Sequence, residues 1–546
     1  MSAADPRASA AGEAILAQGG SATDAAIAVM LALTVVEPQS SGIGGGGFLV
    51  HHGQDGPTTF DGRETAPASA TPYRFLDQAG SRLPFQTRVV SGLSVGVPGN
   101  LALAAKAHSE HGVLPWADLF APAIALARDG FVMNRRLHAS LAGRKERAGK
   151  TAAARAIFFD DSGEVLPVGA RVTVPELADT LEEIAKAGPS AFYQANAAAM
   201  AAYIASETPQ DGAMSADDVQ SYEAKLREPV CAPYRTYRIC GMGPPSSGGI
   251  AVAQMLGQLE RFDLAAMGPQ SVEFWHVFLE SQRIAYADRE LYIGDSDFVD
   301  VPVEGLVEPS YMAQRGALID PALALGEVVA GTPRGAPQAR ADGDEPREYG
   351  TTHFAVVDAN GNAVSYTSTI EGAFGSGLHW GGFYLNNELT DFSFSPEIDG
   401  VPVANSVAGG KRPRSSMAPT IVYDETGEVV LVIGAAGGPT IPVQVARSII
   451  GVLDFGMSAE EALGLPLIMA FGPVVVSEEG SVVAGMVDAL KQRGHENVRL
   501  IAPNGKTNAL LRTATGWEAA GDPRIAPMLS YEPLEPEDAA DAAELP

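Results

Sequence analysis

The chain has 546 residues, is 46% hydrophobic and carries a formal net charge of −29. So acidic a chain excludes nucleic acid and anionic membrane surfaces as natural partners, because both repel it. The longest apolar run, AAIAVMLALTVV, is too short to cross a bilayer and reads as a buried helix.

Length alone suggests about three or four domains. The cysteines Cys231 and Cys240 lie in a strand-like region. They can pair, but two in so long a chain do not indicate a disulfide framework. No secretory signal is visible, so the chain as written is expected in the cytoplasm, or in the periplasm if its start is trimmed.

In chain order, residues 8–18 read as a short helix ended by Gly19 and Gly20. Thr23 is expected to cap the next helix, DAAIAVMLALTVVEP, with Asp24 in its first turn. In SSGIGGGGFLVHH, Gly42, Gly44 and Gly47 have the spacing of a dinucleotide fingerprint. A helix precedes them and a strand follows, the reverse of what that motif needs, so a nicotinamide dinucleotide is excluded. His51 and His52 stand without acidic or cysteine partners at ligand spacing, so no metal is expected. Arg63 follows a strand in a polar turn; its rigid fork suits a carboxylate, although a solvated surface arginine fits the same position.

Residues 93–131 read as helical packing structure. Residues 133–230 read as polar helices with starts at Thr173 and Ser215, the part expected farthest from any active site. A strand pair near 233–243 precedes PPSSGGIAVAQMLGQLE, where Ser246 and Ser247 lack the spacing of a nucleophile elbow. A long helix, VEFWHVFLESQRIAYADRELYIGD, follows. Residues 324–349 are rich in Gly, Pro, Ala and charge without a hydrophobic period, and a mobile loop is expected there.

The next stretch, YGTTHFAVVDANGNAVSYTSTIEGAFGSG, organises the rest. FAVVDA alternates as a strand, Asn360-Gly361 favours a two-residue type I′ turn, and NAVSYTST returns the chain. The hairpin brings residues 365–369 beside Thr351 and Thr352. A threonine hydroxyl needs an adjacent base to act as a nucleophile. Cutting the chain between Gly350 and Thr351 would supply one, the new α-amine, with a reference pKa of roughly 7.7–8. An ordinary hairpin with surface threonines satisfies the same four residues.

This stretch resembles the γ-glutamyltransferase (glutathione hydrolase) family of N-terminal-nucleophile hydrolases. Further blocks agree in order: VVEPQSSGIGGGGFL, FDGRETAPASATPYRF, AYADR, LNNELTDFS, RPRSSMAPTIV and IGAAGG. The resemblance implies an α+β fold, a four-layer αββα sandwich, in one intertwined domain. It implies self-cleavage into a large segment, 1–350, and a small one, 351–546, that stay together as a heterodimer. It maps Thr351 to the nucleophile and Thr369 to the threonine beside its amine. Arg63, Ser415 and Ser416 map to the substrate-carboxylate site, Glu388 and Asp391 to the α-ammonium site, and Gly437 and Gly438 to the oxyanion hole. Residues 394–412 correspond to a loop covering the site. The implied substrate is a small molecule, glutathione or another γ-glutamyl amide, with water or an amine as acceptor and no cofactor.

One position departs from the pattern. Glu371 stands where the family usually has asparagine, and the stretch from Gly377 to Asn386 is shorter. Together with Glu388 and Asp391 it makes the pocket more acidic. A relative acting on another carboxylate-bearing amide, of the glutaryl-cephalosporin or oxamate type, is therefore the alternative; a non-catalytic binding homologue is the third reading. The C-terminal EPLEPEDAADAAELP reads as a solvated acidic tail.

Overall fold

The structure, a computed structural model, describes residues 1–343, 350–503 and 505–532. Two six-stranded sheets form its centre. The first runs, edge to edge, Ser2–Ala3, Thr352–Val357, Ala363–Thr369, Gly46–Gly53, Gly56–Asp61 and Lys225–Arg227. The second runs Gly516–Gly521, Thr507–Thr513, Val429–Ala435, Thr420–Tyr423, Tyr237–Gly241 and Val230–Tyr234. Every pairing in both sheets is antiparallel.

Strand alternation explains the layering, because successive side chains point to opposite faces. Ala355 and Ala363 face Ile421, Val432 and Leu510 between the sheets. Their neighbours Phe354, Val356 and Val364 face the other way, onto a helical layer that includes Ala22–Val36. All fifteen residues of that helix are buried, as a helix apolar on every side must be. Helices Gly248–Leu259, Val272–Tyr292 and Ile441–Leu453 cover the outer face of the second sheet. The result is the expected four-layer αββα sandwich, and both halves of the chain contribute strands to each sheet.

Several local expectations change. Ser21, not Thr23, caps the apolar helix: its hydroxyl accepts from Asp24 N–H while the Asp24 carboxylate accepts from Ser21 N–H. Thr23 lies two residues too late and is buried inside the helix. Likewise Val174 precedes helix Pro175–Ala187, so Thr173 is no cap, whereas Ser215 is one. The hairpin loop is a residue longer than a type I′ turn. Asp358 O accepts from Gly361 N–H, only Gly361 takes a positive φ (86°), and the Asp358 carboxylate gathers Asn360 and Asn362 N–H.

Residues 324–343 lack helix and strand, but they are strapped down rather than loose. Leu325 N–H donates to Glu280, Gly331 N–H to Asp288, and Arg283 to the Leu325 carbonyl. The remainder of that expectation, 344–349, and nearly all of the acidic tail, 533–546, lie outside the described residues. Cys231 and Cys240 form a disulfide; they stand directly opposite in the Val230–Tyr234/Tyr237–Gly241 pair, so register alone brings them together.

The two sheets approach closely where Gly434 meets His353, two residues after Thr351. A Cβ on Gly434 would stand 2.4 Å from the His353 ring. That ring is buried between the sheets, holds a contact of 2.9 Å from Nδ1 to Thr367 Oγ1, and has its pKa pushed down to about 3 by burial. Gly434→Ala is expected to cost about 1–3 kcal/mol, because the sheets cannot separate locally to admit a methyl group. Urea unfolding checks it; an unchanged midpoint would show that the ring yields.

Candidate active site

Thr351 lies immediately before strand Thr352–Val357, buried at the end of the first sheet. Strand Ala363–Thr369 pairs with it in a register that sets Ser368 opposite Thr352. The next residue, Thr369, therefore reaches Thr351: Thr351 Oγ1 donates to Thr369 Oγ1 at 3.2 Å. The Thr351 hydroxyl also contacts the carbonyl oxygen of Gly350, and Thr369 Oγ1 lies 3.4 Å from the same oxygen. Glu371 N–H donates to Thr369 Oγ1 at 2.8 Å, fixing that hydroxyl as a donor toward Gly350. Behind them Thr352 Oγ1 donates to Glu37, which pairs with Arg136.

The strands approach here backbone to backbone, which explains the glycine run. A Cβ on Gly45 would overlap the Thr369 carbonyl at 2.0 Å, and one on Gly46 would meet Glu64 Oε2 at 2.4 Å. Of the glycines with the spacing of a nucleotide fingerprint, Gly47 serves this closure, since its Cβ would meet Thr367 O at 2.7 Å, whereas Gly44 would meet Tyr384 O at 2.1 Å and Gly42 the Thr34 side chain at 3.1 Å.

Gly437 and Gly438 reach the same end of the sandwich from the second sheet. Ser365 Oγ donates to Ile433 O, and Gly434 lies under His353, so strand Val429–Ala435 runs opposite to Thr352–Val357. Continuing past Ala435, it heads toward Thr351. Gly437 (φ 126°) and Gly438 (φ 55°) turn there, a conformation L side chains avoid. Gln444 braces the turn, donating to Ala436 O at 2.9 Å and to Thr440 Oγ1 at 2.9 Å.

Arg63 is fully buried, not solvated. Its guanidinium pairs with both Glu388 and Asp391 and donates to the Arg414 carbonyl at 2.8 Å, while Nε donates to Pro413 O at 3.2 Å. The residues mapped separately to carboxylate and ammonium recognition thus form one ionic cluster. Asn386 and Asn387 carry the acidic turn: Asn386 Oδ1 accepts from Glu388 N–H, and Asn387 bridges to the Glu371 carboxylate. Ser415 and Ser416 sit beside Ser246 and Ser247. Ser247 N–H and Oγ both donate to the Ser415 carbonyl, and Arg289 links Ser247 Oγ to Ser416 Oγ at 2.9 and 2.8 Å. Loop 394–412 is rooted in the cluster through Asn405, which donates to Asp391 O and accepts from Arg414 N–H; its tip at Asp399–Gly400 is exposed.

Four residues escaped the sequence reading. Arg289 ends the AYADR block and Ser247 was set aside with the missing elbow. Glu64 adjoins Arg63, and Arg147 lies in the segment expected to be remote. Both Glu64 carboxylate oxygens are buried with no cation in hydrogen-bond contact among the described residues, and the neighbouring carboxyl is that of Glu388. Burial first, and the nearby Glu388 second, hold the Glu64 carboxyl well above the usual range, against the pull of Arg63 at 4.0 Å. Burial raises Glu388 as well, with Arg63 opposing it.

A protonated Glu64 has a defined consequence for stability. The unfolded residue ionises near pH 4.3, roughly. Below that both states hold the proton and the group contributes nothing. As pH rises, only the unfolded chain gains from ionising, so stability falls. Glu64→Gln is therefore expected to be more stable than wild type at pH 7.5, by a margin that vanishes toward pH 4. Denaturant titrations at both pH values check this; a margin independent of pH would mean that Glu64 is ionised in the fold.

A four-layer αββα sandwich with a threonine at the head of a central strand defines a hydrolase of the N-terminal-nucleophile class. The profile of the Gamma-glutamyltranspeptidase family matches residues 8–528. The chain is 38% identical over 510 residues to the glutathione hydrolase proenzyme of Bacillus subtilis (strain 168), covering 90% of this chain and 84% of that one. It is 36% identical over 534 residues to the acylase ACY 1 proenzyme of Pseudomonas sp. (strain V22), covering 95% and 92%. The cephalosporin acylase of Bacillus halodurans superposes with a TM-score of 0.83 at 26% identity, over 96% of this chain and 94% of that one. The chain belongs to the γ-glutamyltranspeptidase family.

Proposed function

We propose that this chain is a self-cleaving proenzyme that becomes a γ-glutamyltransferase and glutathione hydrolase. The observation that carries the reading is the contact of the Thr351 hydroxyl with its own Gly350 carbonyl, with Thr369 beside both. Attack of Oγ on the Gly350 carbon moves the acyl group from nitrogen to oxygen. Water then cleaves that ester, which leaves segments 1–350 and 351–546 as a heterodimer and frees the Thr351 α-amine.

In turnover the amine takes the hydroxyl proton as Oγ attacks the γ-glutamyl amide carbon. The N–H groups of Gly437 and Gly438 receive the charge on the tetrahedral oxygen. The α-ammonium returns that proton to the amide nitrogen as the C–N bond breaks, so the leaving group departs as a neutral amine, and water or another amine resolves the ester. Arg63, aided by Ser415 and Ser416, binds the substrate α-carboxylate. Glu388 and Asp391 then turn from Arg63 toward the α-ammonium, and Glu371 adds a third carboxylate at the site. Two ion pairs already formed become a preorganised site for a zwitterion, which needs both signs close together.

The acylase relatives favour a second reading, an acylase on another carboxylate-bearing amide, in which Glu371 serves a different acyl group. Parallel assays of the processed protein with glutathione, γ-glutamyl-p-nitroanilide and glutaryl amides separate the two. Turnover of the γ-glutamyl compounds is expected; cleavage of glutaryl amides alone would overturn the first reading.

A further inference from the structure

We infer that Arg147 is a second carboxylate-binding site at the Thr351 centre, which takes the free carboxylate of the amine portion of the substrate. This rests on the γ-glutamyl reading and adds what the enzyme asks of the leaving group.

Arg147 comes from the short helix Lys145–Ala148, over two hundred positions before the nucleophile. The fold nonetheless seats its guanidinium against the turn that follows Thr369. A Cβ on Gly372 would stand 2.8 Å from Nη1, 3.2 Å from Nη2 and 3.3 Å from Cζ. The same turn also packs on the scissile residue, since a Cβ on Gly350 would meet Glu371 O at 2.0 Å and Gly372 C at 3.0 Å. Only one peptide unit therefore separates the guanidinium from the bond that breaks. The carbonyl of Ala148 accepts from Tyr384 at 2.7 Å, and a Cβ on Gly377 would lie 2.9 Å from Arg147 O, so the segment is held on this turn.

Arg147 is poorly satisfied for so enclosed a cation. Its Nε and Nη2 are buried with no hydrogen-bond partner among the described residues. Glu371 attracts it, but that carboxylate is bonded to Asn387, and Arg144 repels it. Burial lowers its affinity for the proton, as expected for a charge awaiting a partner. A planar donor pair without acceptors is shaped for a carboxylate.

The acyl end of the substrate already has its own guanidinium in Arg63, bonded to Glu388 and Asp391, whereas Arg147 adjoins the Glu371–Gly372 turn that Asn387 holds. A carboxylate at Arg147 therefore belongs to the other side of the scissile amide. Glutathione and γ-glutamyl peptides carry one there; anilides do not.

The test compares kcat/KM for glutathione with kcat/KM for its C-terminal carboxamide, using the processed heterodimer. Wild type is expected to favour the free carboxylate by about 10- to 100-fold, the strength of a charge-assisted hydrogen bond, chiefly through KM. In Arg147→Gln the ratio collapses to about one. Arg147→Lys, which keeps the charge but loses the fork, gives an intermediate ratio and covers the case in which the glutamine variant does not fold. A ratio in either variant equal to wild type, with both substrates slowed alike, overturns the inference and makes Arg147 a structural brace. A wild type that turns over neither compound but cleaves glutaryl amides overturns the γ-glutamyl reading and this inference with it.

Discussion

Thr351→Ala is expected to purify as one uncut chain, where wild type gives two fragments, the smaller beginning at Thr351. The reason is chemical rather than structural. Alanine removes the hydroxyl that lies against the Gly350 carbonyl and leaves the backbone of strand Thr352–Val357 intact, so the fold survives uncut. Activity is expected to fall by at least about 10⁴-fold, since nucleophile and base are lost together. Thr351→Ser keeps both and should be cut, more slowly, because the methyl group that fixes the hydroxyl rotamer is gone. Thr369→Ala should slow cutting without abolishing it, since it removes one contact to the Gly350 oxygen. A denaturing gel with intact masses reads all four. Wild type left whole would sink the self-processing proposal and move the binding-protein reading to first place.

The second large effect is expected at Arg63. In Arg63→Met the carboxylates of Glu388 and Asp391 lose their buried counter-cation, and Glu64 beside them loses the guanidinium that favours its ionised form. Removing one partner of a buried ion pair costs about 3–5 kcal/mol. Uptake of protons by Glu388 and Asp391 relieves part of that, so the loss should shrink as pH is lowered. Activity falls with it, because the substrate carboxylate loses its cation and faces Glu388 and Asp391 instead. Arg63→Lys should recover part of the stability but little activity: an ammonium cannot span both acids and the Arg414 carbonyl as the fork does. Urea unfolding at two pH values and kcat/KM on γ-glutamyl-p-nitroanilide measure both effects. An Arg63→Met protein as stable and active as wild type would mean that the cluster is not the acyl pocket.

Much was legible where neighbours in sequence are neighbours in space. The threonine hairpin, its alternating strands and the return of Thr369 to Thr351 follow from strand period and turn chemistry. The pairing of Cys231 with Cys240 follows from the register of a short hairpin and was within reach. Errors of a residue or two, Thr23 for Ser21 and the two-residue turn for a three-residue one, arose where several polar residues compete to satisfy the same backbone groups. The segment around Arg147 was misplaced for a different reason. Its polar, helical pattern is what any surface helix shows, and nothing in four residues records which turn they will lie against.

By itself, then, the sequence determined the chemistry available: a threonine behind a glycine, a glycine pair ending a strand, an arginine and acids of the right kinds, and a family in which to order them. The tertiary structure decided the relations among them. It joined Arg63 to Glu388 and Asp391 across more than three hundred residues, tied Ser247 directly to Ser415 and through Arg289 to Ser416, buried the Glu64 carboxyl beside Glu388, and set Arg147 one peptide from the Gly350–Thr351 bond. The physical reason is that local pattern is governed by backbone dihedrals and side-chain period. The contacts that set charge, proton occupancy and specificity arise only when two sheets and their helical layers close on one another.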